Sequence, residues 1–111
     1  MNNSFYFSIV IPAYNCEKTI QGTLASITNQ TFSNYEVIII NDGSTDGTEK
    51  KVNEYIGEHP NFSVFTMENN GPGNARNIGI DKAKGKYLFF MDADDALESH
   101  TLEQYAGLLE Q

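Results

Sequence analysis

The sequence predicts an α/β fold built on a parallel sheet. Three observations carry that expectation. Four short apolar runs stand out, the segments between them have helical spacing, and the two kinds alternate along the chain. Alternation of this sort calls for a parallel sheet with helices on both faces.

The first run, FSIVIP (7–12), is short, β-branched and nearly continuous, as a strand buried on both faces is. Ile20, Leu24 and Ile27 then share one helical face, with Asn15 placed to cap that helix. YEVIII (35–40) is the second strand. Val52, Tyr55 and Ile56 mark the second helix, where Asp46 and Glu49 have the spacing of a capping box. FSVFTM (62–67) is the third strand. Ala75, Ile78, Gly79 and Ala83 give the third helix small residues that allow close approach to a sheet, and Gly85 is placed to end it. KYLFFM (86–91) is the fourth strand, expected to be buried on both faces like the others. Leu102, Tyr105, Ala106 and Leu109 mark a fourth helix.

The 111 residues suit one domain. Fifteen Asp and Glu against seven Lys and Arg, a formal charge of −8, argue against a nucleic-acid binder, which would carry a basic stripe. An anionic small ligand stays compatible with that charge if a metal ion supplies the positive partner. Cys16 is the sole cysteine, so no internal disulfide can form, which suits a reducing compartment. With no histidine beside it, Cys16 reads as a small structural side chain. No apolar stretch approaches the roughly 20 residues of a membrane helix. The opening MNNSFYFS lacks the marks of a secretory signal, so the N-x-S/T patterns at Asn2, Asn29 and Asn61 are expected to be chance matches. His59 and His100 are isolated and are expected at the surface.

In a parallel sheet, ligands bind beyond the carboxyl ends of the strands. Four loops follow the strands there: PAYN (12–15), NDGSTDGT (41–48), ENNGPGNARN (68–77) and DADD (92–95). Asp92, Asp94 and Asp95 crowd into four positions. Such acids can be a solvated turn at a helix start, or they can hold a hard cation such as Mg²⁺ or Mn²⁺. NDGSTDGT has Asp42, Ser44 and Asp46 in step with a calcium loop, but its twelfth position is Asn53 where a bidentate Glu is needed, so calcium is excluded. Asp42 closes the second strand, where a carboxylate can accept N–H groups of a nucleobase. In NGPGNARN the third glycine of a dinucleotide fingerprint is replaced by Arg76, so that pattern is absent. Arg76 is open to two readings, an exposed ion-pairing side chain or a ligand contact. PAYN on its own says little.

Taken together, SIVIPAYNCEKTI, EVIIINDGSTDGT, NGPGNARNIGI and GKYLFFMDADD resemble the inverting family 2 glycosyltransferases of the GT-A fold, over their nucleotide-sugar-binding half and nearly the whole chain. The resemblance implies a Rossmann-like sheet that binds a nucleotide-sugar donor. Pro12, Ala13, Tyr14 and Asn15 would line the nucleotide, with Glu17 close behind. Asp42 would hydrogen-bond the base, usually uracil, and Arg76 would lie beside it. Asp92 would face the ribose and the metal, Ala93 would line the donor, and Asp94 would ligate Mg²⁺ or Mn²⁺ on the diphosphate. Asp95 is a candidate only for a place just outside the metal's ligands or near the donor sugar.

The resemblance also implies inverting transfer of a sugar, from a UDP-sugar by family habit, onto a glycan or lipid-linked acceptor in polysaccharide biosynthesis. The family's general base lies well downstream of D-x-D, so it is expected beyond Gln111, and no catalytic residue is assigned within the chain. Residues 1–111 are accordingly expected to be one donor-binding domain, truncated before the acceptor half and inactive alone. Truncation is expected to leave the fourth strand's outer edge unpaired and open to self-association. A cytoplasmic location is expected, peripheral to the inner face of the membrane in a full-length protein. Three rivals remain. A phosphoacceptor domain wants an acidic pair after the first strand, where PAYN stands. A sugar-phosphate nucleotidyltransferase wants glycines and basic residues there. A non-catalytic nucleotide- or metal-binding module is the third.

Overall fold

The computed structural model describes residues 5–111; the Asn2 pattern lies outside them. The element order is β1 (Phe5–Ala13), α1 (Ile20–Thr28), β2 (Tyr35–Asp42), α2 (Thr48–Ile56), β3 (Phe62–Met67), α3 (Pro72–Lys82), β4 (Gly85–Phe90) and α4 (Thr101–Leu109). The four strands form one parallel sheet in the order β3-β2-β1-β4. The strand order therefore reverses at β1, between β2 on one side and β4 on the other.

Alternate side chains sort onto two layers. Ile9, Ile11, Val37 and Ile39 pack with Leu24 and Ile27 of α1, Val52 of α2 and Leu102 of α4. Ile38 and Ile40, on the opposite face, pack with Ala75 of α3. This division follows from handedness, because right-handed crossovers running first away from β1 and then back past it must use opposite faces. α3 sits very close to the sheet. A Cβ on Gly79 would overlap Val10 Cγ1 and lie 3.2 Å from Cγ2, so only glycine fits there.

Several expectations need correction. The two edge strands are not buried throughout: of β3 only Phe62 is buried, and β4 alternates, with Leu88 and Phe90 each 44% exposed. Among the described residues no strand pairs with the outer edge of β4. In α4, Leu102 and Ala106 are buried while Tyr105 and Leu109 are half-exposed, since only one side of this helix meets the core. Gly85 does not end α3. Ala83 leaves the helix in extended conformation, and Gly85 opens β4, where a Cβ would lie 2.5 Å from Ser8 Oγ. That approach belongs to a buried network: Gly85 N donates to Ser8 Oγ (2.7 Å), while Ser8 Oγ and Lys84 N both donate to Glu36 Oε2 (2.6 Å each). His59 is half-buried, stacked on Tyr55 with ring centroids 4.8 Å apart. His100 is exposed, as expected, beside Glu103. Among the described residues no helix is long and apolar enough to cross a membrane.

Candidate donor-binding cleft

The reversal of strand order opens a crevice between the carboxyl ends of β1 and β4. Pro12 helps to make it. Met91 N donates to the Val10 carbonyl across this gap, so by the two-residue period of a strand the Pro12 nitrogen faces the same side and has no proton to give. Pairing toward β4 stops at Val10, whereas pairing toward β2 runs past Pro12 to Ala13 and Asn41. Pro12 therefore ends the pairing on one side only, the side where the cleft lies.

The cleft has two lobes that share Pro12 and Tyr14. The larger, about 590 Å³, is lined by Pro12, Tyr14 to Thr19, Asp46, Ala93 and Asp94. The smaller, about 260 Å³, is lined by Pro12, Ala13, Tyr14, Asp42, Asn69, Gly71 and Pro72. Tyr14 stands between them, 48% exposed, so it does not pack into the core. Pro12, Ala13, Tyr14, Asn15, Glu17, Asp42, Ala93 and Asp94 are thus brought together. Asp92 adjoins the larger lobe through its neighbours without lining it. Arg76 is exposed on α3, lines neither lobe, and makes no ion pair among the described residues. Gln111, the position beyond which the general base is expected, is exposed after α4 and also lines neither lobe; its N–H donates to the Leu108 carbonyl at 3.4 Å. Cys16, Lys18, Thr19 and Asp46 line the larger lobe without having been expected as site residues. Lys18 is the one basic side chain of the larger lobe, and its place right after Glu17 was the available signal.

The loops are braced against one another. Asn15 adopts a left-handed backbone (φ 48°), which asparagine tolerates better than most residues. It does not cap α1; Thr19 occupies the cap position. Instead Asn15 N donates to Ser44 Oγ (3.0 Å), and its Oδ1 accepts from Thr45 N (2.8 Å). Nor do Asp46 and Glu49 form a capping box. Asp46 Oδ1 accepts from Thr48 N and Oγ1 (2.9 and 2.6 Å), while Glu49 accepts from Thr66 on β3. The Thr48 hydroxyl holds the Asp46 carboxyl below its ordinary range. Burial pushes the Cys16 thiol up, consistent with a structural cysteine packed against the core.

Asp42 is almost wholly buried, at 3% exposure, and both its oxygens are engaged. Oδ1 accepts from Asn70 N (2.7 Å) and Oδ2 from Gly71 N (2.9 Å), so the carboxylate anchors the loop that opens α3. Each oxygen keeps a second lone pair for a ligand at the smaller lobe. Gly43 (φ 69°) lies against the same loop, where a Cβ would be 2.7 Å from Asn69 N.

Beyond β4, Asp92, Asp94 and Asp95 are exposed and can bring one oxygen each within 4.8 Å of the others. Among the described residues no cationic side chain lies within salt-bridge distance of these three acids. An all-oxygen donor set without His or Cys suits a hard divalent ion.

Acids at the carboxyl edge of a parallel α/β sheet, beside a two-lobed cleft at the reversal of strand order, mark a ligand-binding domain, and solved structures identify its fold as that of GT-A glycosyltransferases. In S. aureus, TarS (residues 1–349, in complex with UDP-GlcNAc) superimposes with a TM-score of 0.89 at 35% identity, over 96% of this chain and 31% of that one. The mannosyltransferase PcManGT of Pyrobaculum calidifontis, in complex with GDP-Man and Mn²⁺, gives 0.87 at 26% identity, over 95% of this chain and 32% of its own. The family profile described as Glycosyl transferase family 2 matches residues 8–111, and the chain belongs to that family. An uncharacterised glycosyltransferase of Haemophilus influenzae is 39% identical over 103 residues, covering 92% of this chain and 41% of the relative. The chain therefore spans less than half the length of the proteins it resembles.

Proposed function

We propose that this chain binds a nucleotide-sugar donor, a UDP-sugar by preference, for inverting transfer to an acceptor hydroxyl. The observation that supports this most is the meeting of the Asp42 lobe and the DADD carboxylates across Pro12 and Tyr14 in one cleft. Asp42 receives base N–H groups while keeping its hold on Asn70 and Gly71. Tyr14 separates base from diphosphate. Lys18 reaches the phosphate oxygens, and Asp94 with Asp92 holds Mg²⁺ or Mn²⁺. When bound, that ion supplies positive charge to the departing diphosphate. Arg76 serves as a base contact only if α3 or a bound nucleotide brings the two together.

The acceptor, a glycan or lipid-linked hydroxyl, needs a general base. We place that base beyond Gln111, outside these 111 residues, consistent with the fraction of its relatives that the chain covers. The same 111 residues are then expected to bind donor and to transfer little sugar.

Calorimetric titration with UDP, GDP and CDP, with and without Mn²⁺, tests the reading. UDP should bind best, and only with metal at full strength. Asp94→Ala should abolish the metal dependence; unchanged binding by that variant refutes the metal assignment. Robust turnover of a UDP-sugar by these residues alone refutes the placement of the base.

A further inference from the structure

Residues 91–100 carry neither helix nor strand, yet they include all three clustered carboxylates. The backbone groups of such a segment need partners from elsewhere. Many of them come from α1 and the residues that flank it, Thr31 included, whose N–H donates to the Ser99 carbonyl at 2.9 Å. Thr19 Oγ1 and Thr23 Oγ1 both donate to the Ala93 carbonyl, at 3.0 and 2.8 Å. Leu97 N donates to Ser26 Oγ at 3.1 Å. Gln30 Nε2 donates to the Glu98 carbonyl at 2.6 Å, and Gln30 Oε1 accepts from Leu102 N at 3.0 Å. Thr19, Thr23 and Ser26, at steps of four and three, share one side of α1 and its N-cap, and Gln30 follows just past the helix end. The stripe T-x-x-x-T-x-x-S-x-x-x-Q is plain in the sequence once its purpose is known.

The first contact of this stripe falls between the two aspartates of D-x-D. Ala93 is buried, and Thr23 is 2% exposed. The peptide is thus held at three points: by Met91 N on the Val10 carbonyl, by the two hydroxyls on the Ala93 carbonyl, and by Asp95 N on the Asp92 carbonyl (3.1 Å). Three carboxylates left to themselves would swing apart, because charges of like sign repel. A fixed backbone limits how far they can go, so their oxygens stay near enough for one ion.

We propose that Thr19 and Thr23 are positioning residues for the divalent-metal carboxylates, and that the polar face of α1 is the template on which the segment after β4 is laid. This rests on the metal reading given above. Thr23 dominates, because its hydroxyl is buried and has the shorter bond, whereas Thr19 Oγ1 is shared with the Cys16 carbonyl at 3.3 Å.

The test is Mn²⁺ affinity, measured by electron paramagnetic resonance with MnCl₂ in the presence of UDP, without reference to turnover. Thr23→Val keeps shape and removes the hydroxyl; it should weaken Mn²⁺ binding about 10-fold, the usual scale for groups that orient metal ligands. Thr23→Ser should restore the wild-type value. Thr28→Val is the control: its hydroxyl bonds Tyr55 and the Ala25 carbonyl, away from DADD, so it should destabilise α1 without changing Mn²⁺ affinity. Thr19 is exposed, so Thr19→Val gives a second reading if Thr23→Val does not fold, with a smaller loss expected. Unchanged affinity in the folded Thr→Val variants, or an equal loss in Thr28→Val, overturns the inference. Absence of Mn²⁺ binding by the wild type overturns the metal reading itself and takes the inference with it.

Discussion

Asp42→Asn separates two roles of one carboxylate. In the wild type each oxygen accepts one backbone N–H, from Asn70 and Gly71. The amide keeps one acceptor and turns its NH₂ toward the other N–H, so one bond is lost and two donors face each other. A hydrogen bond to a charged group contributes about 1.5–3 kcal/mol. The loop can relax because Asn70 is exposed, which places the expected loss near the lower part of that range, about 2 kcal/mol. At roughly 4 °C per kcal/mol for a domain of this size, Tm should fall by about 8 °C. Thermal and urea unfolding give the stability, and amide hydrogen exchange locates it: Asn70 and Gly71 should lose protection while Ile38 keeps its own. An unchanged Tm together with unchanged exchange at Asn70 and Gly71 refutes the anchoring role. Calorimetry with UDP on the same variant tests the other role, since an anchor that also receives the base loses affinity as well as stability.

Three further outcomes are expected. Gly79→Ala should destabilise by about 1–3 kcal/mol through overpacking against Val10, less about 1 kcal/mol gained in helix propensity. In the Val10→Ala background the overlap is gone, so a double-mutant cycle by urea denaturation should show coupling above about 1 kcal/mol, and strict additivity would sink the claim. Cys16, its thiol pushed up by burial, holds less thiolate than a free cysteine at any pH below its raised value; mass spectrometry should show iodoacetamide labelling slower than for a cysteine peptide near pH 8 and accelerating later as pH rises, and equal rates would contradict it. The unpaired edge of β4, with Leu88 and Phe90 exposed beside it, should drive self-association at high concentration, which a strictly monomeric mass by light scattering would exclude.

The sheet was legible because central strands are buried on both faces and declare themselves as continuous apolar runs. β1 and β2 do so, and the expected bounds of FSVFTM match β3. KYLFFM looks the same in sequence, but whether its second face is covered depends on where α3 lies, which no local pattern encodes. The caps were misjudged for a related reason. Asn15 and Asp46 are the residue types that cap helices, yet Asn15 Oδ1 and Asp46 Oδ2 accept from Thr45 N and Glu17 N of neighbouring loops, partners remote in sequence. Within the cleft, the acids were visible as motifs, and PAYN only in company with the other loops. The double duty of Asp42 and the hydroxyl stripe of α1 were not, because both are contacts to backbone, and backbone partners leave no side-chain signature.

The cross-bracing of the cleft loops also limits how this domain can be recombined. Asn15 holds the loop after β2, Asp46 holds the loop after β1, Asp42 holds the loop after β3, and α1 holds the turn after β4. A chimaera that imports only the loop after β2 from a relative therefore severs bonds to the loops after β1 and β3. Retargeting this cleft calls for exchange of the four loops together, as one cassette, with the first turn of α1 included.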